Sequence, residues 1–263
     1  MTRFIINRRK FLTIAGVAAS AIPLSGCDAF DSLLAGQSPV RQFLASANGL
    51  SYRAHRALIG DDTLVPEFAA SEIRQGQRPN GSTDPTDPDY LALKDAAFSS
   101  YRLTVGGLVE KPVSFSLDEL RNMPSRTQIT RHDCVEGWSC ISKWTGVPLR
   151  QILDEAKVKS EARFVVFHCY DTMNLGLQGA VPYYESIDLI DARHPQTILA
   201  YGNNDKPLAI ANGAPLRVRV ERQLGYKMAK YIKGIELVSS LAPFGGGKGG
   251  FWEDLGYDWY GGI

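Results

Sequence analysis

The chain has 263 residues, of which 44% are apolar, enough for one large domain or two small ones with a substantial buried core. Its 29 Lys+Arg nearly cancel its 28 Asp+Glu, leaving a formal net charge of +1 and excluding any general attraction to nucleic acid or acidic membranes. An anion site must therefore be local.

The first 27 residues read as an address rather than as structure. Arg8 and Arg9 precede Lys10-Phe11-Leu12, and the apolar stretch from Leu12 to Leu24 is too short for a bilayer span, which needs roughly 20 apolar residues. The run resembles a twin-arginine signal, a route that exports folded proteins to the periplasm, often with a cofactor already inserted. Leu24-Ser25-Gly26-Cys27 resembles a lipoprotein processing box, which makes Cys27 a candidate lipid anchor; an ordinary cleavage site is the alternative.

From Asp28 to Ala92 short apolar groups mix with Gly, Ser, Asn and Pro, which predicts loops and short helices. Tyr101–Val105 and Val113–Phe115 alternate as strands do, and Ser116 with Glu119 three residues on forms a capping-box signature for a helix. Val147–Ala156 reads as a short amphipathic helix opened near Pro148, and Arg163–Cys169 as a buried strand. Pro215–Val220, with its alternating basic residues, and Ile235–Val238 are further strands. The composition shows no break after about residue 95, so the prediction is one mixed α+β domain.

Apart from Cys27, the cysteines are Cys134, Cys140 and Cys169; three cannot all pair, so at least one thiol is left over, as a buried small side chain or as a ligand. The densest cluster of costly residues is Thr130-Arg-His-Asp-Cys-Val-Glu-Gly-Trp-Ser139. A cysteine flanked by Arg131 and His132 is expected to favour its thiolate, the soft ligand that transition metals select. Lys227, Lys230 and Lys233 recur every third residue, which fits either an anion site or a solvated face. His132 and His168 could be ligand donors or structural hydrogen-bonders. Trp138 and Trp144 could cover a cofactor or lie in the core, and the aromatic segment Phe251–Ile263 reads as a packed tail, with substrate contact as the alternative.

Arg131–Ser139, followed by Trp144-Thr-Gly-Val-Pro-Leu149, His194-Pro195, Asn212-Gly-Ala-Pro-Leu-Arg217 and Gly225-Tyr-Lys-Met-Ala-Lys230, resembles in order the sulfite-oxidase-like molybdopterin-binding family. The motifs are nearest to those of catalytic subunits of periplasmic protein-methionine-sulfoxide reductases, and the likeness runs from about Phe68 to Val238. It implies a molybdenum-molybdopterin cofactor and a domain over 93–263, after an N-terminal segment at 28–92. By the resemblance, Cys134 is the metal ligand and the catalytic centre. Asn80, Cys169, Asn212, Arg217, Met228, Ala229 and Lys230 match cofactor-binding positions, with His132 a further candidate. Arg217 and Lys230 are the kinds of donors that a phosphate needs.

The implied reaction is two-electron oxygen-atom transfer, with the cofactor carrying the redox step. No Cys-x-x-Cys-His haem motif occurs in the sequence, so electrons are expected from a separate partner such as a membrane cytochrome. Val135-Glu-Gly-Trp-Ser139 stands where sulfite oxidases typically carry Ala-Gly-Asn-Arg-Arg, which favours reduction of an S-oxide over sulfite oxidation. The remaining alternatives are a sulfite-oxidase-type dehydrogenase and a lipid-anchored binding protein without catalysis.

Overall fold

A computed structural model of the chain describes residues 39–76, 78–174 and 179–263. Arg8, Arg9 and Cys27 lie outside the described residues. Among the described residues no helix is long and apolar enough to cross a membrane.

The segment expected to hold loops and short helices instead contains a 20-residue helix, α1 (Pro39–Leu58). Asn48-Gly49 in its middle hides it, since glycine costs about 1 kcal/mol relative to alanine in a helix. Tertiary contacts at its C-terminal end offset that weakness. Arg56 reaches Asp191 Oδ1 at 2.9 Å and Asp188 Oδ2 at 2.8 Å, while its guanidinium lies against the rings of Tyr52 and Tyr260. Tyr52 onward belongs to one compact unit that runs to Ile263, so residues 52–92 pack with the later strands and helices of that unit.

The unit holds two five-stranded sheets. The first has the order β2 (Val113–Ser116), β1 (Arg102–Gly107), β10 (Ile232–Val238), β5 (Phe164–Asn174), β6 (Ala180–Asp188). Strands β1 and β10 pair in parallel, Thr104 opposite Gly234, although some 130 residues of chain separate them. The second sheet runs β3 (Arg126–Cys134), β4 (Trp138–Pro148), β7 (Ile198–Asn203), β8 (Lys206–Pro207), with β9 (Arg217–Arg219) also on β7.

Ahead of β1, helix α2 (Pro88–Asp95) starts on Asp87, whose side chain accepts from the Tyr90 amide. The capping box of α3 (Leu117–Asn122) forms as its sequence predicts: Ser116 Oγ accepts from the Glu119 amide at 3.1 Å, and Glu119 accepts from the Ser116 amide at 2.6 Å. Helix α4 spans Leu149–Ala156 rather than starting at Val147, because Val147 and Pro148 complete β4. Its Leu149, Ile152, Leu153 and Ala156 are all buried, the i, i+3, i+4, i+7 stripe of a core-facing helix. Two short helices complete the unit, α5 (Leu189–Arg193) and α6 (Phe251–Asp254).

The main core joins Leu103 and Val105 of β1, Val165 and Phe167 of β5, Ile187 and Leu237 to α4. The run Pro215–Val220 forms a ladder only at Arg217–Arg219, and its alternation does not mark a wet face: Arg217 and Arg219 are fully buried.

Candidate functional site

The crowded segment around Cys134 is a β-hairpin. Strands β3 and β4 pair from Arg126–Gly146 to Cys134–Trp138, leaving Val135-Glu136-Gly137 as the turn. Gly137 adopts φ +83°, and its amide donates to Cys134 O at 3.0 Å. Cys134 is thus the last paired residue of β3, held by the ladder, half-buried and facing a cleft. Cys134, Cys140 and Cys169 are all free thiols, so no pairing competes for them.

The expected activation of Cys134 by its neighbours is not what the geometry gives. Arg131 turns back to Asp133, with Nε 2.9 Å from Oδ2, and His132 is engaged by Arg219 instead. Burial pushes the Cys134 thiol up, with Glu136 adding to the rise while backbone donors from Glu136 and Val135 and the more distant Arg78 oppose it. A bound cation, rather than the basic neighbours, has to supply the drive to thiolate.

The cleft is lined by Asn80, Cys134, Met228 and Lys230 among the residues expected from the sequence. It also takes in Ser82, Glu136, Asp171 and Tyr226, to which the sequence assigns no role of their own, and Trp252 and Tyr257 from the aromatic segment whose alternative reading is substrate contact. Arg217, Asn212 and His132 do not line it; Arg217 and His132 are fully buried. Arg217 donates to Asn212 O at 3.0 Å and Met228 O at 3.3 Å, while its Nε and the Asn212 side-chain Nδ2 have no partner. Ala229 is buried in the same turn, its carbonyl accepting from the Val218 amide at 2.9 Å. Cys169 is buried on β5 and lines another cavity with His168, Tyr183 and Phe251.

Lys227 and Lys230 are both buried, so the solvated-face reading of the lysine run fails for them; of the three, only Lys233 is exposed. Lys230 donates to the carbonyls of Ser82 and, at 3.1 Å, Ala211. Burial, reinforced by Arg217, pushes its ammonium down to about 7 despite Asp171 and Cys169 nearby. Arg217 is also pushed down by burial, and then by Arg219. The hydrogen bonds of these two buried cations go only to carbonyls, and Glu221 and Asp171 offset their charge only in part. Together with the unpartnered donors of Arg217 and Asn212, this chemistry fits the phosphate of molybdopterin.

His132 is fully buried and neutral, held down by burial and by Arg219, Arg217 and Lys230. Its Nδ1 accepts from Arg219 at 2.8 Å, which puts the proton on Nε2, an unpartnered donor. The ring leans on Trp138, with centroids 5.4 Å apart, and abuts Gly225 so closely that a Cβ there would lie 2.5 Å from the imidazole. Trp144 is fully buried against the two arginines, so it belongs to the core. His168 is half-exposed and pairs with Glu236 at 2.9 Å, outside the cleft.

Among the described residues no group of three or more His, Cys, Asp or Glu gathers as a metal cage. A single thiol at the cleft suits a metal whose other ligands come from a cofactor.

Residues 90–243 match the family model described as the oxidoreductase molybdopterin binding domain. A protein provisionally named protein-methionine-sulfoxide reductase subunit YedZ1, from Azospira oryzae, is 34% identical over 97% of this chain and 87% of its own length. The protein-methionine-sulfoxide reductase catalytic subunit MsrP of Xanthomonas axonopodis pv. citri is 38% identical over 68% of this chain, and that of Campylobacter jejuni 36% over 52%. The chain spans about half the length of these two, 55% and 48%. The sulfane dehydrogenase SoxCD of Paracoccus pantotrophus is a remote structural neighbour, with TM-score 0.46 and 22% identity over 54% of this chain and 39% of that one. With the match running from Tyr90 to Pro243 and taking in most of the cleft, the chain belongs to the oxidoreductase molybdopterin-binding family and is a molybdopterin-dependent oxidoreductase with a mixed α+β fold.

Proposed function

We propose that the protein is an exported reductase of S-oxide substrates, with Cys134 as the protein ligand of molybdenum. Molybdenum supplies a centre that cycles between oxidation levels two electrons apart. Asn80, Cys169, Asn212, Arg217, Met228, Ala229, Lys230 and His132 hold the pterin, with Arg217 and Lys230 at its phosphate. The relatives named as methionine-sulfoxide reductases support the substrate class.

The observation that carries the choice between S-oxide and sulfite is the charge of the cleft. Among the described residues Glu136 and Asp171 line it, and the one cation in the lining, Lys230, is the one assigned to the pterin phosphate. A sulfite dianion would meet carboxylates without a free cation, whereas an uncharged sulfoxide has no such repulsion to overcome. Molybdenum-loaded protein is expected to reduce dimethyl sulfoxide with a reduced viologen as electron donor and, by the cost of that repulsion, to oxidise sulfite roughly tenfold more slowly or worse. The reverse preference would refute the assignment.

Electrons are drawn from a separate carrier, of which a membrane cytochrome is the simplest form. Export to the periplasm rests on Arg8 and Arg9, and membrane anchoring on lipidation of Cys27. Replacing both arginines with lysine should stop export of the folded protein; normal periplasmic levels in that double variant would remove the twin-arginine reading.

A further inference from the structure

The C-terminal segment after β10 supplies one side of the cleft. Trp252 and Tyr257 stack with ring centroids 5.4 Å apart and an interplanar angle of 28°, and Tyr257 meets Tyr226 edge-on at 5.5 Å. Tyr226 in turn follows Gly225, which rests on His132 and on Asp133 O, two residues and one residue before Cys134. The aromatic trio is therefore tied to the Cys134 hairpin, where chemistry takes place.

This wall is clamped from behind. Lys227, next to Tyr226, is fully buried and bonded to both Glu185 of β6 and Glu253 of α6, the residue after Trp252. Tyr226 Oη also donates to Asp258 O at 2.7 Å, just past Tyr257. Gly250 permits the approach, since a Cβ there would collide with the carboxylates of Glu253 and Glu185. Such investment in a chain end exceeds what a packed tail needs: one ammonium and two carboxylates are withdrawn from water to fix the rings.

We propose that Trp252 and Tyr257 are the specificity-determining residues of the reaction, receiving the apolar substituent on the substrate's sulfur, and that Glu253 is the positioning residue that holds them. This rests on the S-oxide reading and names the residues that select among S-oxides. Offset aromatic faces bind an aryl or thioether group by area burial and by ring-edge or sulfur-ring contact. They bury far less of a compact polar oxide such as dimethyl sulfoxide, which has no ring to stack.

The test compares dimethyl sulfoxide with methyl phenyl sulfoxide in molybdenum-loaded wild type, Trp252→Ala and Tyr257→Ala. In each variant KM for methyl phenyl sulfoxide should rise about tenfold, the worth of one aromatic contact with its buried area, with kcat and molybdenum content as in wild type and KM for dimethyl sulfoxide within about twofold. A calorimetric titration with methyl phenyl sulfone, which is not turned over, should show the same weakening. Glu253→Ala should lose the discrimination and Glu253→Gln keep it. Equal changes for both sulfoxides, or no change for either, overturn the proposal. A wild type that reduces neither sulfoxide sinks the functional reading, while the sulfone titration, needing no turnover, still decides the aromatic wall.

Discussion

Arg217 and Arg219 press on the same indole, their guanidinium carbons 5.1 and 4.4 Å from the Trp144 ring centre, but only Arg219 meets a carboxylate, Glu221 Oε2 at 2.7 Å. Arg219→Met would strand Glu221 as a buried charge and leave His132 Nδ1 unbonded, at a cost of about 3–5 kcal/mol. Arg217→Met removes a cation that burial and Arg219 already disfavour and that makes no direct ion pair, so the cofactor-free fold should be as stable or more so. Its effect falls on loading: losing a charge-assisted contact of about 1.5–3 kcal/mol weakens cofactor affinity roughly tenfold to a hundredfold. Thermal melts of the cofactor-free variants and molybdenum content after loading check the contrast; equal melting temperatures for the two would contradict it.

Cys134→Ser exchanges the thiol for a hydroxyl that does not ionise near neutral pH. At a half-buried hairpin end the change should alter stability by less than about 1 kcal/mol. Turnover should vanish and the metal's paramagnetic spectrum should change while the pterin stays bound. Cys140 sits opposite His132 on β4 with its side chain buried, and Cys140→Ser should leave the spectrum as it is. A wild-type spectrum in Cys134→Ser would exclude the thiolate as a ligand.

Lys230 gives the cofactor-free protein a distinctive pH dependence. Its folded value of about 7 lies below the unfolded 10.5. Between those limits the unfolded chain binds more protons than the folded one, so stability rises with pH. The penalty for burying the ammonium is present in full below about pH 7 and is relieved towards about pH 10. The melting temperature of cofactor-free protein should therefore climb between about pH 7 and pH 9, and Lys230→Met should flatten that climb. A slope that survives the substitution would assign it to other groups.

Removing Lys227 leaves Glu185 and Glu253 facing each other without a cation. Lys227→Met should cost about 3–5 kcal/mol. Burial already holds the Glu185 carboxyl well above its usual range, so its contribution to stability declines as pH rises above the unfolded carboxylate value. The destabilisation of Lys227→Met should accordingly be smaller at about pH 5 than at about pH 8 by urea melts. A loss that is the same at both pH values would mean that the carboxylates are not the source.

What can be read in the sequence divides by the range of the interactions involved. The capping box at Ser116 and the stripe Leu149–Ala156 are local patterns, and they fold as expected. Strands β3 and β4 escape notice because their alternation is carried by buried polar groups: Gln128, Thr130, His132 and Ser142 face inward. The length of α1 is hidden by Asn48-Gly49 and depends on Asp188 and Asp191, far along the chain. In the cleft, Asn80, Cys134, Met228 and Lys230 are legible through motifs. Asp171, Trp252 and Tyr257 are not, because only the fold brings β5 and the C-terminal segment to the hairpin tip. The one signal that points to Trp252 and Tyr257 is the density of aromatic residues between Phe251 and Tyr260, and packing accounts for that density equally well.

The parallel ladder of β1 with β10 sets a timetable for biogenesis. The central pair of the first sheet cannot form until Gly234 has been made, long after its partner Thr104. Contacts this distant in sequence are slow to form and come late. The cleft obeys the same schedule, for it draws on Asn80, Cys134, Lys230 and Tyr257. A nascent chain thus carries Cys134, the proposed ligand, for much of its synthesis with no cradle to receive a pterin. Loading is a step for the finished chain, and a chain that has been unfolded presents no site until β1 and β10 pair again.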